Sequence, residues 1–295
     1  MPDLLTTDEA ADYLRLSERK LYELVARGAV PCTKVTGRWL FPRGALDRWV
    51  LAGMVTPPGL TPERAPPIVG GSHDPLLEWA LRESGCGLAS LPEGSEAGLH
   101  RLVRREVAVA AIHLHRLEGG DERANPDAVA QTAGLHDAVV IAFARREQGI
   151  LVAPGNPLDL RDIRAVVRQR ARIALRPSGA GAQLLLLALL AQAEVTVGEL
   201  NAVKPVCPTG PDVAQAVRSG RADCGLATRA VARAAALDFV PLVWEHFDLV
   251  LRQGDYFLPA EQTLFRFLRS PALGERAAEF GGYDVSAVGE VRLPS

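Results

Sequence analysis

The chain has little of what marks several specialised classes of protein. Its 295 residues include four cysteines, which are scattered and form no Cys-x-x-Cys pair. This excludes a disulfide framework or a thiolate zinc site and indicates buried residues in a reducing compartment. The longest apolar run, residues 184–191, is far below the roughly 18–20 residues that cross a bilayer.

The N-terminus lacks the features of a secretory signal. It reads Met-Pro-Asp-Leu-Leu-Thr-Thr-Asp-Glu, which is acidic where a signal peptide is first basic and then apolar. We therefore expect a cytoplasmic protein without a membrane partner.

Enzyme signatures are missing as well. The sequence has no G-x-S-x-G elbow, no Walker loop, no H-E-x-x-H motif and no G-x-G-x-x-G placed before a helix. We expect no enzyme activity, and we assign no catalytic residue, no cofactor and no metal.

Charge is nearly balanced. The net charge of −2 excludes a broadly basic nucleic-acid coat but not a small DNA-binding module whose charge is local. Residues 1–52 carry eight basic and seven acidic side chains, a net charge of +1. Affinity for DNA must therefore come from the placement of these cations and from dimerisation.

Length and composition predict two globular domains. The chain is 48% hydrophobic and 23% charged, which is ordinary for a folded protein. Residues 53–67 contain five prolines and form a candidate semi-rigid linker. The predicted domains are residues 1–52, for DNA, and residues 68–295, for a ligand.

The first 50 residues have the pattern of a winged helix-turn-helix. Thr7 caps a short amphipathic helix that ends at Leu14, and Ser17 caps a second helix that Gly28 ends. A β-hairpin wing is expected around Thr36-Gly37, and Pro42 opens a third helix.

The second helix is the expected reader of the major groove. The outward side chains of this helix and of the wing either contact DNA or are simply solvated surface groups. Tyr22 is equally compatible with contact in the groove and with packing inside the module. The predicted DNA-binding residues are Arg19, Lys20, Tyr22, Lys34 and Arg38. The predicted core residues are Trp39, Phe41, Leu46 and Trp49.

This module resembles the MerR/excisionase-type winged helix-turn-helix family. The stretches that carry the resemblance are Leu5-Thr6-Thr7-x-Glu9-Ala10-Ala11, Ser17-x-Arg19-x-Leu21-Tyr22, Gly28-x-Val30-Pro31 and Gly37-Arg38-Trp39. The resemblance implies double-stranded DNA as a partner.

From Ile68 onward, strand and helix patterns alternate, which predicts an open α/β architecture with ligands at the carboxyl ends of strands. Short strands are expected at 68–71, 87–91, 107–112, 138–143, 150–152, 172–175, 223–228, 239–243 and 247–252.

Two loops of this half have the pattern of an anion clamp. Ser72 and Ser178 each follow a strand and precede a helix, where free N–H groups and a helix dipole favour an anion. The alternative is that both serines only cap the helices that follow them. Glu245 is either a hinge residue or a residue of the binding site. The predicted ligand-binding residues are Ser72, His73, His113, Ser178, Gly179 and Thr209. His113-x-His115 has no obvious third ligand, so a metal is not expected.

The C-terminal half resembles the type II periplasmic-binding-protein superfamily, in particular the PBP-like domain. The resemblance rests on Gly70-Gly71-Ser72-His73-Asp74, Pro177-Ser178-Gly179-x-Gly181 and Ala214-x-Ala216-Val217-x-x-Gly220-x-Ala222-Asp223-x-Gly225. It implies a two-lobed α/β fold and a molybdate- or tungstate-type oxyanion. The third loop lacks the threonine and arginine that such relatives often carry, which leaves a small organic ligand as an alternative.

Together these features predict a one-component transcriptional regulator that acts as a homodimer and senses a small, anionic solute. Two alternatives are a solute-binding component of a transporter and a domain associated with molybdenum-cofactor metabolism.

Overall fold

The computed structural model describes residues 4–35, 37–53, 64–115 and 123–293. The chain forms two compact units, and the boundary between them lies between Glu63 and Arg64. Residues 54–63, the centre of the predicted linker, and Thr36 of the predicted wing lie outside the described residues.

The first unit is a small helical module with a two-stranded sheet. Its elements are β1 (Leu4–Leu5), α1 (Thr7–Tyr13), α2 (Glu18–Ala26), β2 (Phe41–Pro42) and α3 (Arg43–Ala52). The Ser17 hydroxyl accepts a hydrogen bond from the Lys20 N–H and caps α2, as predicted. Gly28 has a φ of +63°, a conformation open to glycine, and follows the end of α2.

Three details of this unit differ from the prediction. The cap of α1 is Thr6, one residue earlier, because Glu9 reaches back to accept from its N–H at 2.8 Å. Pro42 ends β2, which pairs with β1, so the third helix begins at Arg43. Within the described part of the predicted wing, the only antiparallel pairing is one bridge between Thr33 and Leu40.

The second unit is built on one mixed sheet of ten strands. The strands are β3 (Ile68–Gly71), β4 (Ala89–Pro92), β5 (Val109–Ile112), β6 (Ala138–Val152), β7 (Arg172–Ala174), β8 (Asn201–Val203), β9 (Cys224–Thr228), β10 (Asp238–Arg252), β11 (Tyr283–Asp284) and β12 (Val291–Leu293). The main order is β4-β3-β5-β10-β6-β9-β7-β8, and β11 and β12 pair with β6.

Helices cover this sheet. They are α4 (Pro75–Glu83), α5 (Ser95–Val103), α6 (Ala124–Gln131), α7 (Ile163–Arg168), α8 (Gly181–Gln192), α9 (Gly210–Arg218), α10 (Arg229–Ala234), α11 (Gln253–Tyr256), α12 (Pro259–Leu268) and α13 (Pro271–Phe280). Within the described ranges, no helix is both long and apolar enough to cross a membrane.

Two long strands divide the second unit into two lobes. The parallel set β4-β3-β5 forms the first lobe, and the parallel set β9-β7-β8 forms the second. β6 and β10 are antiparallel to each other along their 15-residue lengths, and each passes from one lobe into the other. We call them the hinge strands.

The hinge strands correct the prediction of four short strands. Residues 144–149 and 244–246 lie between the predicted strands, but pairing continues through both segments. Polar side chains of these segments form hydrogen bonds with one another, so they can be buried while the strands continue.

Each lobe has apolar clusters on both faces of its sheet. In the first lobe, one cluster includes Leu76 of α4 and Leu264 of α12, and another includes Leu99 of α5. In the second lobe, Leu185 of α8 and Val213 of α9 belong to separate clusters. The lobes are therefore two separately packed bodies joined by the hinge strands.

Candidate functional site

The exposed face of α2 carries three of the five predicted DNA-binding residues. Leu21 is fully buried while Arg19, Lys20 and Tyr22 are exposed. Glu23 lies 3.2 Å from the Lys20 ammonium and 3.7 Å from the Arg19 guanidinium. Such exposed pairs contribute little stability, so these cations are available to a phosphate backbone.

The other two predicted DNA contacts lie in the wing segment. Lys34 and Arg38 are both exposed, and the Lys34 ammonium lies 5.2 Å from the centre of the Trp39 ring. Trp39 itself packs against the core of this unit, as predicted.

A small cavity lies between the two lobes of the second unit. Its volume is about 20 Å³, room for roughly one water molecule or a group of a few atoms. It is lined by Ser72, His73, Pro75, His113, Arg146, Gln148, Arg176, Ala182, Gly210, Leu226, Ala227, Thr228 and Val231. We call the lining residues from the first lobe and the hinge strands, together with the side chains hydrogen-bonded behind them, the first wall. The lining residues from the second lobe form the second wall.

In the first wall, a carboxylate occupies the start of α4. Asp74 Oδ1 accepts hydrogen bonds from the N–H groups of Leu76 and Leu77, both at 2.9 Å. Its other oxygen accepts from Arg146 Nη1 and from the Tyr283 hydroxyl, both at 2.8 Å. This helix end is therefore filled by the protein itself.

Glu245 is the centre of the first wall. Its Oε1 accepts from Arg146 Nε at 2.6 Å and from Gln148 Nε2 at 3.0 Å. Its Oε2 lies 3.0 Å from His113 Nδ1 and 2.7 Å from His115 Nε2. Glu245 and Arg146 are opposite each other in the pairing of β10 with β6, which explains why the two side chains meet.

These interactions set the protonation of the buried groups. Burial lowers the pKa of His113 to about 4, so its ring is neutral at pH 7. Burial alone would raise the pKa of Glu245, but His113 and Arg146 outweigh it and hold that pKa well below its ordinary value. Glu245 is therefore ionised, and the Nδ1–H of His113 donates to it.

In the second wall, Arg176 has no comparable partner among the residues that the structure describes. Its side chain is half-buried, and its buried Nε makes no hydrogen bond to any of those residues. Burial lowers the pKa of Arg176 to about 10, so it stays charged at neutral pH. Asp212 acts against this shift, but that carboxylate is engaged in capping α9, where it accepts from the Thr209 N–H at 2.8 Å.

α8 begins five residues after Arg176, and its residue Ala182 is also part of the second wall. Its N-cap residue, Ala180, has no side-chain oxygen to accept from the first turn. Gly181 and Ala182 donate no hydrogen bond to any residue in the described part of the chain. Gly181 packs so closely on the backbone and ring of His113 that a Cβ there would overlap both.

The structure places the six predicted ligand-binding residues in different surroundings. Ser72, His73 and His113 line the cavity, whereas Ser178, Gly179 and Thr209 do not. Ser178 is exposed, and neither Ser72 nor Ser178 is a helix cap, since Asp74 and Ala180 hold those positions.

The hydrogen bonds of the serine and glycine loops explain these placements. The Ser72 hydroxyl bonds to Ser95 Oγ at 2.9 Å, and the Ser72 N–H donates to the Ala111 carbonyl. The Gly179 carbonyl accepts from the Glu96 N–H at 3.4 Å and so joins the two lobes.

The sequence did not indicate four polar residues of the lining: Arg146, Gln148, Arg176 and Thr228. Arg176 lies two residues after the end of β7, and the loop after a strand is a common ligand site in α/β folds, so the sequence did contain a signal for it. Arg146 and Gln148 lie in a polar segment that gives no such signal.

Two family models match the chain. Residues 78–269 match the PBP superfamily domain, and residues 4–54 match a helix-turn-helix domain. The uncharacterized protein YvgK of Bacillus subtilis is 22% identical over 98% of this chain and 97% of its own length.

Solved structures resemble the second unit. A substrate-binding protein from Clostridium perfringens with bound phosphate superposes with a TM-score of 0.53 at 12% identity, covering 76% of this chain and 98% of that one. The regulatory domain of Synechocystis CcmR in complex with 2-PG superposes with a TM-score of 0.51 at 13% identity, covering 68% of this chain and 93% of the other. These similarities confirm the predicted α/β fold. The chain therefore belongs to the PBP superfamily domain family and carries a helix-turn-helix domain ahead of that fold.

Proposed function

We propose that the chain is a ligand-responsive transcription regulator of the cytoplasm. Its winged helix-turn-helix, of the MerR/excisionase type, binds double-stranded DNA, and its PBP domain binds a small anion between the lobes. A net charge of only +1 on residues 1–52 favours a homodimer, which doubles the interactions with DNA. The cavity has a binding role in this proposal, not an enzymatic one.

The main support for an anionic ligand is the state of Arg176. The first wall pairs its buried Arg146 with two carboxylates, whereas the half-buried Arg176 has no ion-pair partner among the described residues, a condition that is unfavourable for a partly desolvated charge. An anion in the cavity would supply the missing partner of Arg176. A guanidinium offers paired N–H donors that match phosphate and carboxylate oxygens.

The start of α8 adds donors without adding formal charge. The N–H groups of Gly181 and Ala182 have no acceptor among the described residues, and the helix dipole favours an anion at this end.

The size of the cavity narrows the ligand further. A volume of about 20 Å³ limits the bound group to a few atoms in this arrangement of the lobes, so we propose that the ligand presents a compact anionic group to the cavity. The two similar structures hold phosphate and 2-PG, which supports an anionic ligand of this kind. Molybdate and tungstate belong to the same class of oxyanion and are included in the test below.

The signal to DNA is proposed to be closure of the lobes. The ligand would touch both walls, so it would bind the closed arrangement more tightly than an open one and shift the population towards it. Closure would change the geometry of the dimer and so the spacing between its two DNA-binding modules.

The ligand proposal is tested with Arg176→Met in the full-length protein. Calorimetric titration with phosphate, molybdate, tungstate and 2-PG should show at least one anion that binds the wild type and is bound about 10-fold or more weakly by the variant. The matched control is Arg172→Met, whose guanidinium pairs with Asp223 on the exposed surface of the same lobe. Equal anion affinity in wild type and Arg176→Met would contradict the proposal.

The DNA proposal is tested with Arg19→Ala combined with Lys20→Ala. The variant should bind operator DNA more weakly, and the slope of its salt dependence should fall by about one for each phosphate group that the variant no longer neutralises. Arg48→Ala, an exposed cation of α3, is the control. A chain that binds anions but no DNA would favour the solute-binding component of a transporter instead.

A further inference from the structure

The first wall contains a group of side chains that the anion proposal does not use. His113 Nδ1, His115 Nε2 and Glu245 Oε2 lie within 4.8 Å of one another. We propose that these three atoms bind a divalent transition-metal cation, with Zn²⁺ as the reference ion. This reverses the sequence-based expectation, which lacked a third ligand for the histidine pair.

The donor set selects this class of metal. Two imidazole nitrogens and one carboxylate oxygen are the protein ligands of zinc sites that keep a fourth position open for water or another small molecule. Mg²⁺ and Ca²⁺ prefer oxygen ligands throughout, so they fit this group poorly. The third ligand comes from β10, about 130 residues after the histidines, which is why spacing along the chain did not show it.

The ligands are held in place by their neighbours. Arg146 Nε and Gln148 Nε2 both donate to Glu245 Oε1, which leaves Oε2 facing the two imidazoles. Ser95 Oγ bonds both to the N–H and to the carbonyl of His113, each at 3.0 Å, and so fixes the backbone after β5. Supporting hydrogen bonds of this kind orient metal ligands and raise their affinity.

The charges of the group favour a cation. One guanidinium, that of Arg146, is shared by two buried carboxylates, Asp74 and Glu245. Arg146 therefore offsets one negative charge and leaves the second to be compensated by another group. A metal ion bound at Oε2 would supply that compensation in a place where uncompensated charge is costly.

Metal binding needs no co-reactant. A neutral imidazole carries one N–H, and this proton moves to the opposite ring nitrogen when the metal takes the nitrogen that faces Glu245. The group lies in the cavity wall through His113, but it does not include Arg176, so the inference goes beyond the proposed anion binding and does not depend on it.

The test uses the full-length protein without an affinity histidine tag, freed of metal by dialysis against a chelator. Titration with Zn²⁺ alone should show one ion bound per chain, and Co²⁺ should give the visible absorption of a bound, low-coordinate ion. His115→Ala should weaken Zn²⁺ binding by about 100-fold or more, because even supporting residues of metal sites contribute about 10- to 100-fold. His100→Ala, an exposed histidine of α5, is the matched control and should bind Zn²⁺ as the wild type does.

A second variant keeps the test informative if His115→Ala folds poorly. His115→Cys restores a metal ligand and should bind Co²⁺ with an added thiolate charge-transfer band in the near ultraviolet. The inference is overturned if the wild type does not bind Zn²⁺, or if His115→Ala binds it with unchanged affinity. Arg176→Met should bind Zn²⁺ normally, which separates failure of this inference from failure of the anion proposal.

Discussion

The two walls of the cavity differ in how completely their charges are paired. In the first wall, Arg146 has two carboxylate partners, and its side chain is 1% exposed. In the second wall, Arg176 has a buried Nε without an acceptor in the described part of the chain. Both are arginines of one cavity, but one is satisfied by the protein and the other is not.

The same contrast holds for the helix ends. The start of α4 is occupied by Asp74, whereas the start of α8 has no side-chain cap. We infer that the arginine of the first wall obtains its partners when the protein folds, while the arginine of the second wall obtains one only when the anion binds. Removing a cation should therefore have opposite effects on stability in the two walls.

The largest expected effect is that of Arg146→Met. It would leave Asp74 and Glu245 buried without their common partner, which should lower the free energy of unfolding by about 3–5 kcal/mol. Denaturation by urea measures this loss. Arg145→Met, the exposed neighbour on the same strand, should change stability by about 0.5 kcal/mol or less; a similar loss in both variants would remove the special role of Arg146.

Gly181→Ala should disturb the packing between the walls. The added Cβ would overlap the carbonyl and ring of His113, so the lobes must separate locally at a cost of about 1–3 kcal/mol. Thermal unfolding and anion titration should both be affected. Gly274→Ala, in α13 with no atom within 4 Å of the new methyl group, should instead be neutral or stabilising.

Ser72→Ala should cost less. It removes the hydroxyl that bonds to Ser95 Oγ, a loss of about 1 kcal/mol in stability. Ser178→Ala, in the exposed loop before α8, should change neither stability nor anion affinity. If Ser178→Ala lowers the anion affinity, Ser178 belongs to the binding site after all.

Arg176→Met should have the smallest effect on stability, and of the opposite sign. Replacing a half-buried charge that has no ion-pair partner among the described residues by an apolar side chain should leave the free energy of unfolding unchanged or raise it by up to about 1 kcal/mol. Urea denaturation without added anion measures this effect. A loss of about 2 kcal/mol or more would show that the guanidinium has a structural partner.

Local sequence patterns were sufficient to predict most of the short strands and helices. The strand Ile68–Gly71 has its predicted bounds, and α2 ends one residue before its predicted end. Capping residues, apolar periodicity and turn glycines act within a few positions, so they can be read in order.

The hydrogen-bond network in the first wall could not be predicted from local sequence patterns. Glu245 meets Arg146 across about 100 residues, and only the pairing of the hinge strands brings them together. The polar segments of these strands looked like interruptions because their burial depends on partners distant in sequence. Arg176 is different, because its position after β7 was visible and only its lack of a partner was not.

The hinge strands also determine the order in which the chain can be assembled during synthesis. Most of the second lobe is one continuous stretch between the end of β6 at Val152 and the start of β10 at Asp238. Most of its packing partners are therefore available once that stretch has left the ribosome, and the first residues of β10 complete its clusters. The first lobe is interrupted by it and lacks its central strand until β10 pairs with β5. We expect the second lobe to fold first, although it begins about 85 residues after the first, and the nascent chain to expose the unfinished sheet of the first lobe in the meantime.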